Sequence, residues 1–270
     1  MPRPRVRRSE CLPPGAGPGE DGAFLSEFTR VEERRGPVQF YCLSGMFILS
    51  TGCQWRAVPK DLPPRSTLFD YLDLCSLDGT LDRMHHALYV ACRKRDDREA
   101  GPTAAIIDSQ SVKSAEKSGA CIDPNGYDAG KKIKGKKRHI LVDTLGLLLH
   151  AMIHPGDVQD RDGGILLMST LFGTYRFLEK LFADGGYQGA KFRSGVANVL
   201  PALEIEIVRR PAHGKSFMVL PRRWIVERTI AWLNRCRRLA KDWENLNRKA
   251  LAFLPLASIR LMLRKLCNPT

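Results

Sequence analysis

The order of the short apolar segments after residue 103 is the feature that most constrains the fold. Five segments have the length of β-strands, and two longer stretches have the period of helices. The strand candidates are Ala104–Ile107, Arg138–Asp143, Leu147–Ile153, Leu178–Ala183 and Glu204–Val208, and the helix candidates are Ile165–Phe172 and Arg222–Trp243. The order strand, hairpin, helix, strand, strand, helix excludes a repeating βαβ array. It predicts an α/β fold with a mixed sheet flanked by helices.

The region before this sheet differs from it in composition and in predicted secondary structure. Residues 1–37 contain six Pro and five Gly and are expected to be a low-order lead-in. Residues 38–95 predict three short helices: one stops at Thr51-Gly52, one is N-capped by Ser66, and one ends in the cations Arg93–Arg95. Three such helices are typical of a helix-turn-helix DNA reader, and equally of a subdomain that only packs.

The positive charge is concentrated in two segments. Residues 131–138 hold six basic residues and no acid, and residues 209–248 hold eleven basic residues and three acids. Together they account for the whole net charge of +14. A neutral body with two basic patches favours a polyanionic partner, although a single patch is as well explained by a solvated face.

Two carboxylates stand where apolar segments end. Asp108 follows Ala104–Ile107, and Asp184 follows Leu178–Ala183 and precedes Gly185-Gly186. Strand ends are where a mixed or parallel sheet exposes functional groups, and paired glycines allow close approach of a ligand.

A third carboxylate, Glu227, lies on the last predicted helix. At 100° per residue the core stripe is expected to be Ile225, Thr229, Trp232, Cys236 and Leu239. Glu227 then lies on the opposite face, with Arg223, Asn234, Arg238 and Lys241 around it. A solvated helix face with an i,i+4 pair Arg223–Glu227 has the same pattern, so the helix alone does not decide.

The three carboxylates together suit phosphodiester chemistry. That reaction uses two divalent cations, and Mg²⁺ prefers hard oxygen ligands. Asp108, Asp184 and Glu227 are therefore the candidate catalytic and metal-binding residues. The other nearby acids are interpreted as turn and cap residues, namely Asp143, Asp157, Asp160 and Asp162.

Several long motifs resemble a known family. They are IIDSQSVK, GYDAGKKIKGKKRHILVDTLGLLLH, HPGDVQDRDG, FADGGYQG and LPRRWIVERTIAWLNRCRRLAKDWE. Over residues 38–265 the chain resembles bacterial insertion-sequence transposases of the DDE class, most of all the insertion-sequence-five family. In that family's signature a Tyr and a Lys stand where this chain has Leu220 and Asn234, whereas Arg223 and Glu227 match.

The resemblance implies a ribonuclease H-like catalytic domain over residues 103–265, preceded by a small N-terminal helical domain that binds DNA. It implies an enzyme that cuts transposon ends and joins 3′-hydroxyls to target DNA with two Mg²⁺ ions, for which Mn²⁺ can substitute. Asp108, Asp184 and Glu227 match the family's catalytic positions. The expected DNA contacts come from Lys131, Lys132, Lys134, Lys136, Lys137, Arg138 and Arg223, with Arg235 or Arg238 replacing the missing Lys.

The expected partner is double-stranded DNA, both transposon ends and target, bound by a dimer. No apolar stretch is long enough to cross a bilayer and no signal peptide is visible, so the predicted location is the bacterial cytoplasm, at the nucleoid when bound to DNA. Two alternatives stay open: a catalytically inactive DNA-binding relic of such a transposase, and a basic RNA-binding protein, which would leave the placed carboxylates unexplained.

Overall fold

A computed structural model describes residues 38–117, 119, 121–171, 174–175, 177–208 and 222–267. The predicted lead-in 1–37 and the departure at Leu220 lie outside these residues. In the part of the chain that is described, no helix is both long enough and apolar enough to cross a bilayer.

A six-stranded mixed sheet forms the centre of the fold. Its strands are β1 Ala104–Lys113, β2 Gly126–Asp128, β3 Ile133–Asp143, β4 Leu148–Pro155, β5 Lys180–Ala183 and β6 Glu204–Ile207. The hydrogen-bonded order is β2-β3-β1-β5-β6, and β4 also pairs with β3. Pairs among β1 to β4 are antiparallel, whereas β5 is parallel to β1 and β6 is parallel to β5. The predicted hairpin is confirmed as β3–β4.

Seven α-helices surround this sheet in the described residues. They are α1 Val38–Thr51, α2 Arg65–Leu77, α3 Thr80–Arg95, α4 Asp160–Ser169, α5 Ala190–Ala197, α6 Arg223–Asn234 and α7 Asn247–Cys267. The predicted stop of α1 is confirmed, because Gly52 has φ +67°, a left-handed conformation that favours glycine. The predicted N-cap Ser66 is wrong: α2 begins at Arg65 and its N-cap is Pro64.

The three N-terminal helices share one apolar core with the sheet. Buried side chains of α1, α2 and α3 belong to the same cluster as those of β1, β3 and α7. His85 Nε2 on α3 lies 3.0 Å from Ser258 Oγ on α7, and Cys92 Sγ lies 3.8 Å from the Met262 carbonyl. The core therefore continues across the predicted boundary at residues 96–102, and the DNA-reading role of residues 38–95 stays a prediction.

The last predicted helix, Arg222–Trp243, is shorter than expected. It ends at Asn234, and a 3-10 turn at Arg237–Leu239 follows an extended Cys236. The buried side chains of α6 are Val226, Thr229 and Leu233. Trp232, predicted to be in the core, is exposed, and the Arg228 guanidinium lies 4.7 Å from its ring centroid. Thr229 belongs to both the predicted and the observed buried face, and its Oγ1 donates a hydrogen bond to the Gly146 carbonyl in the β3–β4 turn.

Candidate active site

Asp108 and Asp184 occupy neighbouring positions on two parallel strands. Ile106 of β1 pairs with Phe182 of β5, so the same register two residues on brings the two aspartates side by side. Asp184 directly follows β5, as predicted, and its Oδ1 accepts the Gly186 N–H at 2.8 Å. β1 does not end at Asp108 but continues to Lys113, because β3 pairs with it along this length. Asp108 therefore lies within a strand, at the point where the neighbouring strand ends.

Glu227 is connected to this pair through Arg223. Arg223 Nη2 lies 3.4 Å from Asp184 Oδ2, and Arg223 Nε lies 3.0 Å from Glu227 Oε1. The Glu227 side chain is 52% exposed, whereas that of Asp184 is 21% exposed. The i,i+4 pair expected of a solvated helix is thus present, but its cation also contacts a strand-end carboxylate. One guanidinium links the helix acid to the sheet acids.

The electrostatic environment of Asp108 differs from that of a surface acid. Burial, together with the nearby charge of Asp184, raises the pKa of Asp108 to about 6. The Ser109 N–H, which donates to Asp108 Oδ1 at 2.7 Å, and the cations Arg223 and Lys131 act in the opposite direction. A further cation near this carboxylate would favour its ionised form.

The donor chemistry of the three carboxylates fits Mg²⁺, whose preferred ligands are hard oxygens. Within the described ranges, however, no three His, Cys, Asp or Glu side chains are grouped so that they could hold a metal ion as they stand. Arg223 lies between Asp184 and Glu227. Binding of a cation by both carboxylates therefore requires the Arg223 guanidinium to leave at least one of them.

A model of the transposase DDE domain family matches residues 99–262, which contain all three carboxylates. The chain belongs to this family. No curated protein is similar enough to the chain to be matched. The family suggests transposase activity on DNA. The matched transposase domain begins after α3, so residues 38–95 precede it.

The remaining acids of the transposase domain have different roles from one another. Asp157 lies in a turn, as predicted. Asp143 is the last residue of β3, and its Oδ1 accepts the N–H groups of Leu145 and Leu147 in the following turn at 2.9 Å each. The expected cap role of Asp162 is wrong: the N-cap of α4 is Gln159, and Asp162 lies in the first turn, 2.6 Å from Lys191 Nζ. Asp160 also does not cap the helix.

Half of the basic segment 131–138 is buried. Lys136, Lys137 and Arg138 are 1%, 5% and 3% exposed, because other parts of the fold cover both faces of β3 at these positions. Their cationic groups donate to main-chain carbonyls: Lys136 to Asp123 and Pro124, Lys137 to Val158, and Arg138 to Leu239 and Lys241. These three side chains hold the folded domain together, and the expectation that they contact DNA is corrected. Lys131, Lys132 and Lys134 are exposed.

The two arginines after α6 that were predicted to contact DNA, Arg235 and Arg238, differ in exposure. Arg235 is exposed. Arg238 is buried: its Nε donates to Glu244 Oε1 at 2.9 Å, its Nη1 donates to the Cys53 carbonyl, and its guanidinium lies 5.6 Å from the Trp55 ring centroid. Arg238 is therefore corrected from a DNA contact to a structural residue, which leaves Arg235 as the cation at the end of α6.

Sequence reasoning missed Ser109, Lys137 and Asp160 as neighbours of the acid pair. Ser109 Oγ donates to Asp160 Oδ1 at 2.7 Å, and Lys137 Nζ lies 3.1 Å from the same oxygen. Ser109 directly follows Asp108, and that adjacency is the one signal in the sequence that pointed to it.

Proposed function

We propose that this chain is a DNA transposase that cuts at transposon ends and joins the 3′-hydroxyls to target DNA, with Asp108, Asp184 and Glu227 holding two Mg²⁺ ions. The observation that carries the proposal is the adjacency of Asp108 and Asp184 on parallel strands, with Glu227 bound to the same guanidinium as Asp184. Membership of the transposase DDE domain family supports it.

The strand order supports a ribonuclease H-like fold for the proposed catalytic domain over residues 103–265. Three antiparallel strands, β1, β3 and β4, form one side of the sheet, and β5 and β6 continue parallel to β1 on the other side. This arrangement brings the carboxylates of β1 and of the segment after β5 to one position. Resemblance of the motifs to the insertion-sequence-five family gives the finer family assignment that we propose.

The chain's own residues prepare the site for this chemistry. Two divalent cations bound by the carboxylates would activate the attacking hydroxyl and stabilise the leaving oxygen, and Mn²⁺ would be expected to substitute for Mg²⁺. Asp108 must lose its proton to serve as a ligand. Burial raises its pKa to about 6 while no metal is bound, and a bound cation would favour the ionised form. Arg223 neutralises Asp184 and Glu227 while they hold no cation. Once released, its planar guanidinium is suited to a DNA phosphate.

An exposed basic loop adjoins the acid pair. Lys131 Nζ donates to the Ser109 carbonyl at 3.1 Å, next to Asp108. Lys132 and Lys134 follow it on the surface. We infer that this loop contacts the phosphate backbone, which positions DNA without specifying its sequence, and that Arg235 does the same from the end of α6. Reading of the transposon ends by residues 38–95 and pairing of two ends by a dimer complete the proposal.

A catalytically inactive relic is the second candidate. Two observations favour it: Arg223 lies against two of the three carboxylates, and α6 ends in Asn234 where the family signature has a Lys. The two candidates differ in one measurable property, because a relic binds DNA and does not cut it.

The deciding experiment uses the full chain and duplex DNA taken from both flanks of its gene. With MgCl₂ at pH 8, we expect the wild-type protein to cleave this DNA and expose 3′-hydroxyls. Asp108→Asn, Asp184→Asn and Glu227→Gln should abolish cleavage and retain DNA binding in a mobility-shift assay. Glu179→Gln, which changes an exposed acid just before β5, is the control and should cleave normally.

The other outcomes reject part or all of the proposal. A carboxylate variant that cleaves at the wild-type rate removes that residue from the site. Binding of the flanking DNA by the wild-type protein without any cleavage identifies the relic.

A further inference from the structure

Asp160 lies in the first turn of α4, but its carboxylate does not cap the helix. Its Oδ1 accepts the Ser109 hydroxyl at 2.7 Å and lies 3.1 Å from Lys137 Nζ. The side chain is 27% exposed, and it lines a polar cleft of about 320 Å³ together with Lys137, Gly185 and Gly186. Asp160 therefore contacts a buried side chain of β3 and is also exposed to the cleft at the candidate site.

The second oxygen of Asp160 faces Asp184. A Cβ atom built on Gly186 would lie 3.0 Å from Asp160 Oδ2 and 3.0 Å from Asp184 Oδ1. Asp160 Oδ2 and Asp184 Oδ1 are therefore separated by at most the sum of those two distances, and they lie around the position that a Cβ atom of residue 186 would occupy. The absence of a Cβ at Gly186 is what lets the two carboxylates approach each other.

Ser109 connects Asp160 to Asp108. Its N–H donates to Asp108 Oδ1 at 2.7 Å, and its hydroxyl donates to Asp160 Oδ1 at 2.7 Å. Its carbonyl accepts the Lys131 ammonium at 3.1 Å. The N–H, the hydroxyl and the carbonyl of buried Ser109 thus each have a hydrogen-bond partner, and Asp160 is the partner of the hydroxyl.

Lys137 allows a further carboxylate to be tolerated here. Its buried ammonium lies 3.1 Å from Asp160 and 3.5 Å from Asp128, and it donates to the Val158 carbonyl at 2.8 Å. A buried cation held in this way offsets the repulsion that Asp160 would otherwise exert on Asp184.

Tyr187 is a buried residue near the same acids. Its side chain is 1% exposed, and its hydroxyl makes no hydrogen bond of acceptable geometry to the residues that the structure describes. Burial raises the pKa of Tyr187, and the nearby charges of Asp108, Asp160 and Asp184 raise it further. Tyr187 therefore lies near all three carboxylates, and its ring packs against those of His139 and Phe192.

From these contacts we infer that Asp160 is a positioning residue, which acts through Ser109 on Asp108 and across Gly186 on Asp184. The inference rests on the proposed function, because it assumes that Asp108 and Asp184 bind the divalent cation. Residues that orient metal ligands typically change metal affinity or activity by about 10–100-fold when they are replaced.

The test measures Mn²⁺ binding to the full chain by titration calorimetry, and DNA cleavage as a second readout. We expect Asp160→Asn and Ser109→Ala each to weaken Mn²⁺ binding by roughly 10–100-fold. They should lower the maximal cleavage rate and leave the DNA concentration for half-maximal rate unchanged. The matched control is Asp162→Asn, which removes an acid from the same helix turn, and it should bind Mn²⁺ within about twofold of wild type.

Three results separate the inference from the proposed function. If Asp160→Asn binds Mn²⁺ and cleaves as Asp162→Asn does, Asp160 is not a positioning residue, although the proposed function survives. If Asp160→Asn weakens Mn²⁺ binding but Ser109→Ala does not, the action through Ser109 is wrong. If the wild-type protein binds no Mn²⁺, the proposed metal site fails and the inference fails with it. Thermal melting of each variant shows that a loss of binding is not a loss of folding.

Discussion

Replacing Asp143 should destabilise the whole domain, because this buried carboxylate joins α3 to the β3–β4 turn. Arg93 Nη1 lies 2.5 Å from its Oδ2, and the Tyr89 hydroxyl donates to the same oxygen at 3.2 Å. Its Oδ1 accepts the N–H groups of Leu145 and Leu147. The side chains of Arg93 and Asp143 are 7% and 0% exposed, so water does not replace a lost partner.

The magnitude follows from this burial. Removing one partner of a buried ion pair costs about 3–5 kcal/mol, because the other charge stays buried and uncompensated. Asp143→Asn keeps an oxygen for the two N–H groups and should cost about 3 kcal/mol. Asp143→Ala also leaves two buried donors unsatisfied, at about 1–3 kcal/mol each. A loss of 3–5 kcal/mol corresponds to a melting temperature lower by roughly 6–20 °C.

Urea denaturation at pH 7 measures the loss, and a double-mutant cycle isolates the pair. Arg93→Met combined with Asp143→Asn should be less destabilising than the two single changes added together, since no buried charge is then left alone. The unfolding transition should stay single, because the helices before residue 96 share the core of the sheet. A loss below about 1 kcal/mol for Asp143→Asn, or strict additivity, would refute the reasoning.

Two further predictions concern pH and DNA. Burial lowers the pKa of His85 to about 4 and of His139 to about 3, from 6.5 when unfolded. The unfolded chain therefore binds more protons below pH 6.5, and the free energy of unfolding should fall by roughly 2 kcal/mol per histidine from pH 7 to pH 5. Because the pKa of Asp108 is raised in the folded protein, its protonation between pH 7 and pH 5 should increase the free energy of unfolding by about 1 kcal/mol. Urea denaturation at both pH values measures the net change, and the absence of a net loss at pH 5 would contradict this account. Replacing exposed Lys134 by Ala should lower the slope of log K against log salt by about 0.9 for duplex DNA, whereas Lys136→Ala should mainly lower thermal stability; an effect on the slope from Lys136 alone would reverse the assignment.

The acid pair could be predicted from the sequence because its signal is local. An apolar segment of strand length that ends in Asp needs no distant partner to be recognised, and Asp108 and Asp184 both have that pattern. The parallel pairing that brings them together was not predicted and is seen only in the structure. Glu227 had only a helix-face pattern, and its link to the pair depends on Arg223, whose contact with Asp184 joins residues far apart in the chain.

The role of Lys136, Lys137 and Arg138 could not be predicted from charge alone. A run of cations indicates a solvated face unless both faces of the strand are known to be covered, and the partners of these cations are carbonyls distant in sequence, such as that of Leu239. The sequence predicts Asp160 to be a turn or cap residue, because an acid in the first turn of a helix is stabilised there by the helix dipole. The hydrogen bond from Ser109 that gives it another role spans the sheet and α4.

Anomalous diffraction from crystals grown with MnCl₂ and flanking-DNA duplex tests the central claim most directly. Manganese peaks should lie among the carboxylates of Asp108, Asp184 and Glu227, about 3.5–4 Å apart if two ions bind, with Arg223 displaced from Glu227. All pairs of these carboxyl carbons should then lie within about 12 Å of one another. Manganese bound elsewhere while Arg223 still bridges Asp184 and Glu227 would contradict the assignment of these three carboxylates as the catalytic metal site.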